Sequence, residues 1–258
     1  MGKVLAITNQ KGGVGKTTTS INLAASLVAT KRRVLLVDLD PQGNATMGSG
    51  INKEACALSI YEVLIGTDTV EAARITTEGG YDLLPSNSRL SGAEIELIEL
   101  ERRERRLRTA LESVRNEYDF ILMDCPPALN LLTLNALVAA EAVLIPMQCE
   151  YYALEGLTAL VNTIRKVRET LNPGLQIEGL LRTMFDPRNN LDNEVSAQLK
   201  DHFGDKLYRT VIPRNIRLAE APSHGKPVIA YDMQSKGAQA YLALAGEMLR
   251  RQEEAVPV

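Results

Sequence analysis

The feature that most constrains this chain is the stretch Asn9-Gln10-Lys11-Gly12-Gly13-Val14-Gly15-Lys16-Thr17-Thr18. It follows the apolar run Val4-Leu5-Ala6-Ile7 and precedes the helical pattern Ile21, Leu23, Ala24, Leu27, Val28. Strand, glycine loop and helix therefore come in the order a phosphate cradle requires. Gly12, Gly13 and Gly15 carry no Cβ, so successive N–H groups can turn inward on an anion, and the helix that starts near Lys16 adds its positive end. Lys16 brings a point charge to the β- and γ-phosphates, and the Thr17 hydroxyl is placed to ligate Mg²⁺. The reading is a site for ATP or ADP with Mg²⁺, its phosphates held between Lys11 and Thr18, Val14 included.

Short apolar runs separated by helix-length segments recur down the chain. They are Arg33–Asp38, Asp82–Leu84, Phe120–Asp124, Ala142–Pro146, Ile177–Leu181 and Leu207–Val211. Buried parallel strands read this way, and their alternation with helices predicts an α/β fold with a doubly wound, mostly parallel sheet. Its ligands belong at the carboxyl ends of the strands. No repeat, low-complexity tract or Gly/Ser linker interrupts the 258 residues, so one P-loop domain spanning 1–258 is expected.

The polar motifs fall at those strand ends. Leu39-Asp40-Pro41-Gln42-Gly43-Asn44-Ala45-Thr46 follows the second run, and on spacing alone it reads equally as a turn or as a loop whose Asp40 faces the ligand. Phe120–Asp124 is an apolar strand ending in Asp. Downstream of a phosphate loop such an Asp124 holds Mg²⁺ opposite Thr17. The charged stretch Glu101–Arg108 interleaves Arg with Glu and continues a helical stripe of Leu97, Leu100, Leu107, Leu111 and Val114, which reads as a solvated helix face. The last two strand-end loops, Met184–Asn190 and Val211–Arg217, lie where the nucleoside must sit if the phosphates sit on the glycine loop.

The loop departs from the strict phosphate-loop pattern because Gln10 replaces its first glycine and Lys11 adds a second lysine. In KGGVGKTT, in the DLDPQGNAT segment, in the DCPP that follows Phe120–Asp124 and in Gln148–Gly156, the sequence resembles the ParA and MinD ATPases with a deviant Walker A loop, most closely the chromosomal ParA or Soj branch. The resemblance covers Met1 to about Leu249. It implies that Lys11 reaches across an ATP-bound sandwich homodimer to the partner's phosphates and that Asp40 orients the attacking water. It also implies that Met184, Pro213 and Asn215 surround the base and that a ParB/Spo0J-like protein stimulates a slow intrinsic hydrolysis. The first strand begins at once, so no N-terminal helix-turn-helix and no operator-specific autorepression are expected. Alternatives on the same loop are a MinD-like membrane-surface or cargo-positioning ATPase and a dethiobiotin-synthetase-like ligase.

Composition narrows the partners. Aromatic residues make up 4% and Trp is absent, which argues against stacking platforms for single strands. Cys56, Cys125 and Cys149 lie far apart with no C-x-x-C pair, so neither a disulfide framework nor a zinc site is expected. No secretory leader or spanning segment is visible, and Gln252–Val258, acidic and with Pro257, is poor material for a lipid-seeking helix. A cytoplasmic, nucleoid-associated protein without membrane contact is expected. The net charge is −3, yet Leu207–Lys236 holds five cations (Arg209, Arg214, Arg217, Lys226, Lys236) against two anions. Arg188 and Arg217 match positions that bind DNA in the Soj branch. With Arg214, Lys226 and Lys236 they form the expected surface for double-stranded DNA, and without a recognition helix it should be insensitive to sequence.

Overall fold

A computed structural model describes residues 2–254. Its centre is one sheet of eight strands: β1 (Lys3–Ile7), β2 (Val34–Asp38), β3 (Ile75–Thr76), β4 (Asp82–Leu84), β5 (Phe120–Asp124), β6 (Ala142–Met147), β7 (Gln176–Phe185) and β8 (Leu207–Pro213). The order is β3-β4-β2-β5-β1-β6-β7-β8. Every pairing is parallel except that of the two-residue edge strand β3 with β4. The connections lead to one side of β1 until β5 and to the other side from β6 onward. That reversal opens a crevice at the carboxyl ends of the central strands, the place where doubly wound sheets take ligands.

Alternation along each strand sorts the core into two layers. Val4 and Ala6 of β1 join one buried cluster with Ile121 and Met123, while Leu5 and Ile7 join the other with Phe120 and Leu122. Both faces are thus covered, as near-continuous apolar runs require. The helices Lys16–Ala29 and Lys236–Glu254 share one face, where Thr19 Oγ1 lies 3.1 Å from the Tyr241 hydroxyl. The amphipathic C-terminal helix buries Tyr241, Leu244 and Met248 against the sheet. The acidic residues noted above, Glu253 and Glu254, end this helix, while residues 255–258 with Pro257 lie outside the described residues.

Two sequence expectations change, and one strand carried no sequence signal. The edge strand β3 was not legible in Ile75-Thr76, because two residues carry no period. The stripe from Leu97 to Val114 is buried except for the half-buried Leu100, but no single helix carries it: Leu90–Ile98 ends, Arg102 takes φ 51°, and a new helix runs Arg106–Glu112. Left-handed backbone at a non-glycine residue cannot continue a helix. Finally, β7 extends to Phe185, so Met184 sits in a strand instead of a loop, with φ 50°.

Candidate nucleotide site

The register sets the site. In the β1–β5 and β2–β5 pairings Ile7, Asp124 and Asp38 stand in one row at the ends of three adjacent strands. The glycine loop springs from the first of these. Its start is tied down by Asn9, whose Nδ2 donates to the Pro146 carbonyl at 2.9 Å and whose Oδ1 accepts from Lys11 N at 3.0 Å. Its middle is held from β7 by the Thr183 hydroxyl, which donates to Val14 O at 2.7 Å. Gly13 and Gly15 take φ 74° and 85°, conformations that any Cβ would strain. Gly15 caps the helix Lys16–Ala29 with no side chain on its first N–H groups, leaving those donors facing the loop.

Lys16 is buried and its Nζ donates to Lys11 O at 3.1 Å, so the loop folds around its own ammonium. Burial pulls its pKa below the usual lysine value, against the opposing pull of Asp124. Thr17 Oγ1 donates to Asp124 Oδ2 at 2.8 Å, and Ser20 Oγ donates to Asp124 Oδ1 at 2.8 Å. A hydroxyl and a carboxylate brought together at a strand end fit a hard divalent cation, which prefers oxygen ligands. Thr17 and Asp124 would hold Mg²⁺, with Ser20 fixing the carboxylate's second oxygen.

Asp38, fully buried beside Asp124, was not singled out from the sequence. Its Oδ2 accepts from Thr46 N and Thr46 Oγ1, each at 2.8 Å, and its Oδ1 accepts from Asp40 N at 3.1 Å. Burial holds both Asp38 and Asp124 above the usual carboxylate range; the Asp38 charge raises Asp124 further, and the Asp40 charge raises both. Between the ordinary value of about 4 and neutrality the folded protein therefore binds more protons than the unfolded chain. The stability this pair contributes is complete in acid and is lost as pH rises toward neutrality. In the absence of nucleotide and Mg²⁺, the melting temperature is expected to fall from about pH 5 to about pH 7.5, and Asp38→Asn should flatten that fall. Differential scanning fluorimetry of the two proteins checks this.

Asp40 lies at the mouth of the crevice, half-buried, with Oδ1 accepting from Gln42 N at 3.0 Å. Lys11 is exposed, and its Nζ forms an ion pair with Glu150 of the same chain. Both side chains are roughly half exposed, and such pairs are worth at most about 1 kcal/mol, so Lys11 can be drawn elsewhere at little cost.

At the nucleoside end, Met184 leans toward the loop: a Cβ on Gly15 would lie 4.0 Å from its Cε. Its sulfur accepts from Gln148 Nε2 at 2.8 Å. Pro213 ends β8, and Asn215 caps the helix Ile216–Glu220 by accepting from Arg217 N at 3.0 Å. That cap occupies the Asn215 oxygen and leaves its NH₂ free to donate. The phosphate, metal and nucleoside candidates thus gather along one edge of the sheet, from β2 to β8.

The five basic candidates, Arg188, Arg214, Arg217, Lys226 and Lys236, are all exposed. The Phe185–Pro213 pairing brings the Arg188 loop beside Arg214. Two of the five are engaged. Arg188 Nη2 pairs with Asp186 Oδ2 at 2.7 Å, and Arg217 pairs with Glu220 at 2.8 Å and Asp232 at 3.3 Å. A count of charges along the sequence could not see that both anions of the segment fold back on one arginine. Among the described residues no helix is long and apolar enough to cross a membrane, and no three His, Cys, Asp or Glu side chains gather as a metal site.

A family model described as an AAA domain matches residues 2–177. The sporulation initiation inhibitor protein Soj of Bacillus subtilis is 56% identical over 249 residues, which is 96% of this chain and 98% of Soj. The chromosome partitioning protein ParA of Caulobacter vibrioides is 53% identical over 255 residues, covering 98% of this chain and 96% of its own. Among solved structures, cobyrinic acid a,c-diamide synthase from Mycobacterium smegmatis with bound ADP and magnesium matches with a TM-score of 0.87. It is 38% identical and covers 99% of this chain and 97% of that one.

Proposed function

The chain belongs to the AAA domain family and, within it, to the ParA/Soj chromosome-partitioning ATPases, and from that premise we propose that it hydrolyses Mg-ATP to cycle between a DNA-bound ATP homodimer and a free ADP form. The observation that carries the reading is the constellation at the strand ends, where Thr17 and Ser20 grip Asp124 beside the buried Lys16 and the Asp38-anchored loop that presents Asp40. A small-molecule ligase is the weaker alternative, since the synthase structure is 38% identical and Soj 56%.

In this reading the loop amides and Lys16 bind the β- and γ-phosphates of ATP, and Met184, Pro213 and Asn215 take the adenine. Mg²⁺ held by Thr17 and Asp124 would neutralise charge on the phosphate oxygens. Asp40 orients the attacking water, and Lys11 leaves Glu150 for the phosphates of a second copy. Turnover without a stimulating partner is slow, because a switch needs its ATP state to persist until it is triggered. A ParB-like protein is the proposed trigger, and the nucleoid is the proposed location.

One protomer offers few free cations for duplex DNA at cellular salt, and two on one surface offer twice as many, so nucleotide state gates DNA binding through dimerisation. The contacts are to phosphates and carry no sequence preference. Arg217→Glu is expected to weaken binding to all duplexes alike, to lower the salt slope by about 0.9 for the lost contact and to leave ATP dimerisation intact. Fluorescence anisotropy with two unrelated duplexes across a salt titration tests it. A variant that binds both as tightly as wild type, with the same slope, would show the patch to lie elsewhere.

A further inference from the structure

The loop that carries Asp40 is held from outside by a residue of β4's carboxyl end. Strand β4 pairs with β2 in parallel, Val37 against Leu84, which sets Pro85 and Ser86 beside the chain as it leaves β2. Ser86 is fully buried there. Its hydroxyl donates to the Asp40 carbonyl at 2.8 Å, and its own N–H donates to Thr46 Oγ1 at 2.9 Å. The Thr46 hydroxyl passes the chain on to Asp38 Oδ2 at 2.8 Å. One serine therefore staples both ends of the 40–46 segment, and the Asp38 carboxylate closes the ring from below.

The consequence falls on Asp40. Its N–H is held by Asp38, and its carbonyl accepts both from Ser86 and from Gly43 N at 2.8 Å. Pro41 follows, with its φ fixed by its ring. The two peptide planes that flank the Asp40 Cα are thus pinned by Asp38, Ser86 and Gly43, and the side chain, held only by the exposed bond from Gln42 N, can turn toward the crevice. Packing against Ser86 is close: a Cβ on Gly43, at φ 62°, would lie 2.9 Å from the Ser86 carbonyl oxygen. Segment 40–46 also accepts a bond at the Gln42 carbonyl from Lys53 Nζ at 2.6 Å, but that contact is exposed. The buried restraint comes from Ser86.

We propose that Ser86 is a positioning residue for hydrolysis, setting the Asp40 backbone so that its carboxylate meets the attacking water. This rests on the reading of Asp40 as the water-orienting group. Misplacement of a catalytic group by an ångström can cost on the order of a hundredfold in rate. With Thr46 and Asp38 still in place, loss of the Ser86 hydroxyl should cost about tenfold.

The test is steady-state ATP hydrolysis by the full chain with Mg²⁺ and duplex DNA, comparing wild type, Ser86→Ala, Ser86→Cys and Asp40→Ala. Cysteine fills the site with a slightly larger atom and replaces the hydroxyl with a weak donor, while alanine leaves it smaller, so a loss shared by both tracks the hydrogen bond and not the packing. Both Ser86 variants should lose about tenfold in kcat, with KM for ATP, affinity for a fluorescent ADP analogue and melting temperature close to wild type. Unchanged kcat in Ser86→Cys and Ser86→Ala, beside an inactive Asp40→Ala, would overturn the role of Ser86 alone. So would a fall in kcat matched by equal losses in ADP affinity and melting temperature in both variants, which would make Ser86 merely structural. If Asp40→Ala itself turns over at the wild-type rate, the Asp40 reading is what fails, and the role of Ser86 falls with it.

Discussion

Asp40→Ala is expected to bind Mg-ATP as tightly as the native protein, to dimerise, and then to stay dimeric, with turnover reduced by roughly 10²–10⁴-fold, the range that loss of a general acid–base or water-orienting group produces. Nothing else at the site should move. The Asp40 carboxylate makes one described contact, to Gln42 N, whereas the anchoring of its loop runs through its backbone to Asp38, Ser86 and Gly43. Removing the side chain therefore costs the loop only the Gln42 N bond and leaves its backbone anchors in place. On the proposed reading the phosphates are held by Lys16 and the loop amides, so affinity should change by no more than about twofold. Single-turnover hydrolysis with radiolabelled ATP separates the two effects. A tenfold loss of ATP affinity would place Asp40 in binding instead of chemistry.

Lys11→Ala should show the complementary defect. Lys11 is exposed and pairs only at the surface with Glu150, so its loss should barely affect stability. Its backbone, which accepts from Lys16 Nζ and donates to Asn9 Oδ1, is retained in alanine. Nucleotide binding to the isolated chain should therefore survive. Dimerisation should not, because truncating one partner of a buried, charged hydrogen-bonded contact costs about 2–5 kcal/mol, and a symmetric dimer makes that contact twice. Isothermal titration with ADP and sedimentation with ATP measure the two halves. Loss of ADP binding in Lys11→Ala would assign the lysine to its own chain's phosphates.

What the sequence revealed and what it hid follow from how local each signal is. The phosphate loop was legible because its chemistry is consecutive: three glycines, a lysine and a threonine within six residues specify backbone and ligand together. Asp124 was legible as a strand end facing that loop, and the register does set its carboxylate against the Thr17 hydroxyl. Asp38, Ser20 and Ser86 were hidden, because a carboxylate inside a strand or a serine after Leu84-Pro85 acquires meaning only when the register sets it beside Asp124 or Asp40. Met184 was identified but misplaced in a loop, since a left-handed residue inside a strand has no sequence signature. The pairing within the basic segment was hidden for a different reason. Charge counting treats Arg217, Glu220 and Asp232 as independent, and the fold makes them one cluster.

The claim on which the rest depends is that ATP, and not ADP, joins two copies of this chain. Multi-angle light scattering of the native protein with Mg²⁺ and ATP, with Asp40→Ala run alongside to remove hydrolysis, measures it directly. The account predicts that the Asp40→Ala mass with ATP is twice the mass with ADP, and that only the ATP form elutes with duplex DNA. A mass that stays at one chain with either nucleotide, or DNA binding that is equal in ATP and ADP, would contradict it.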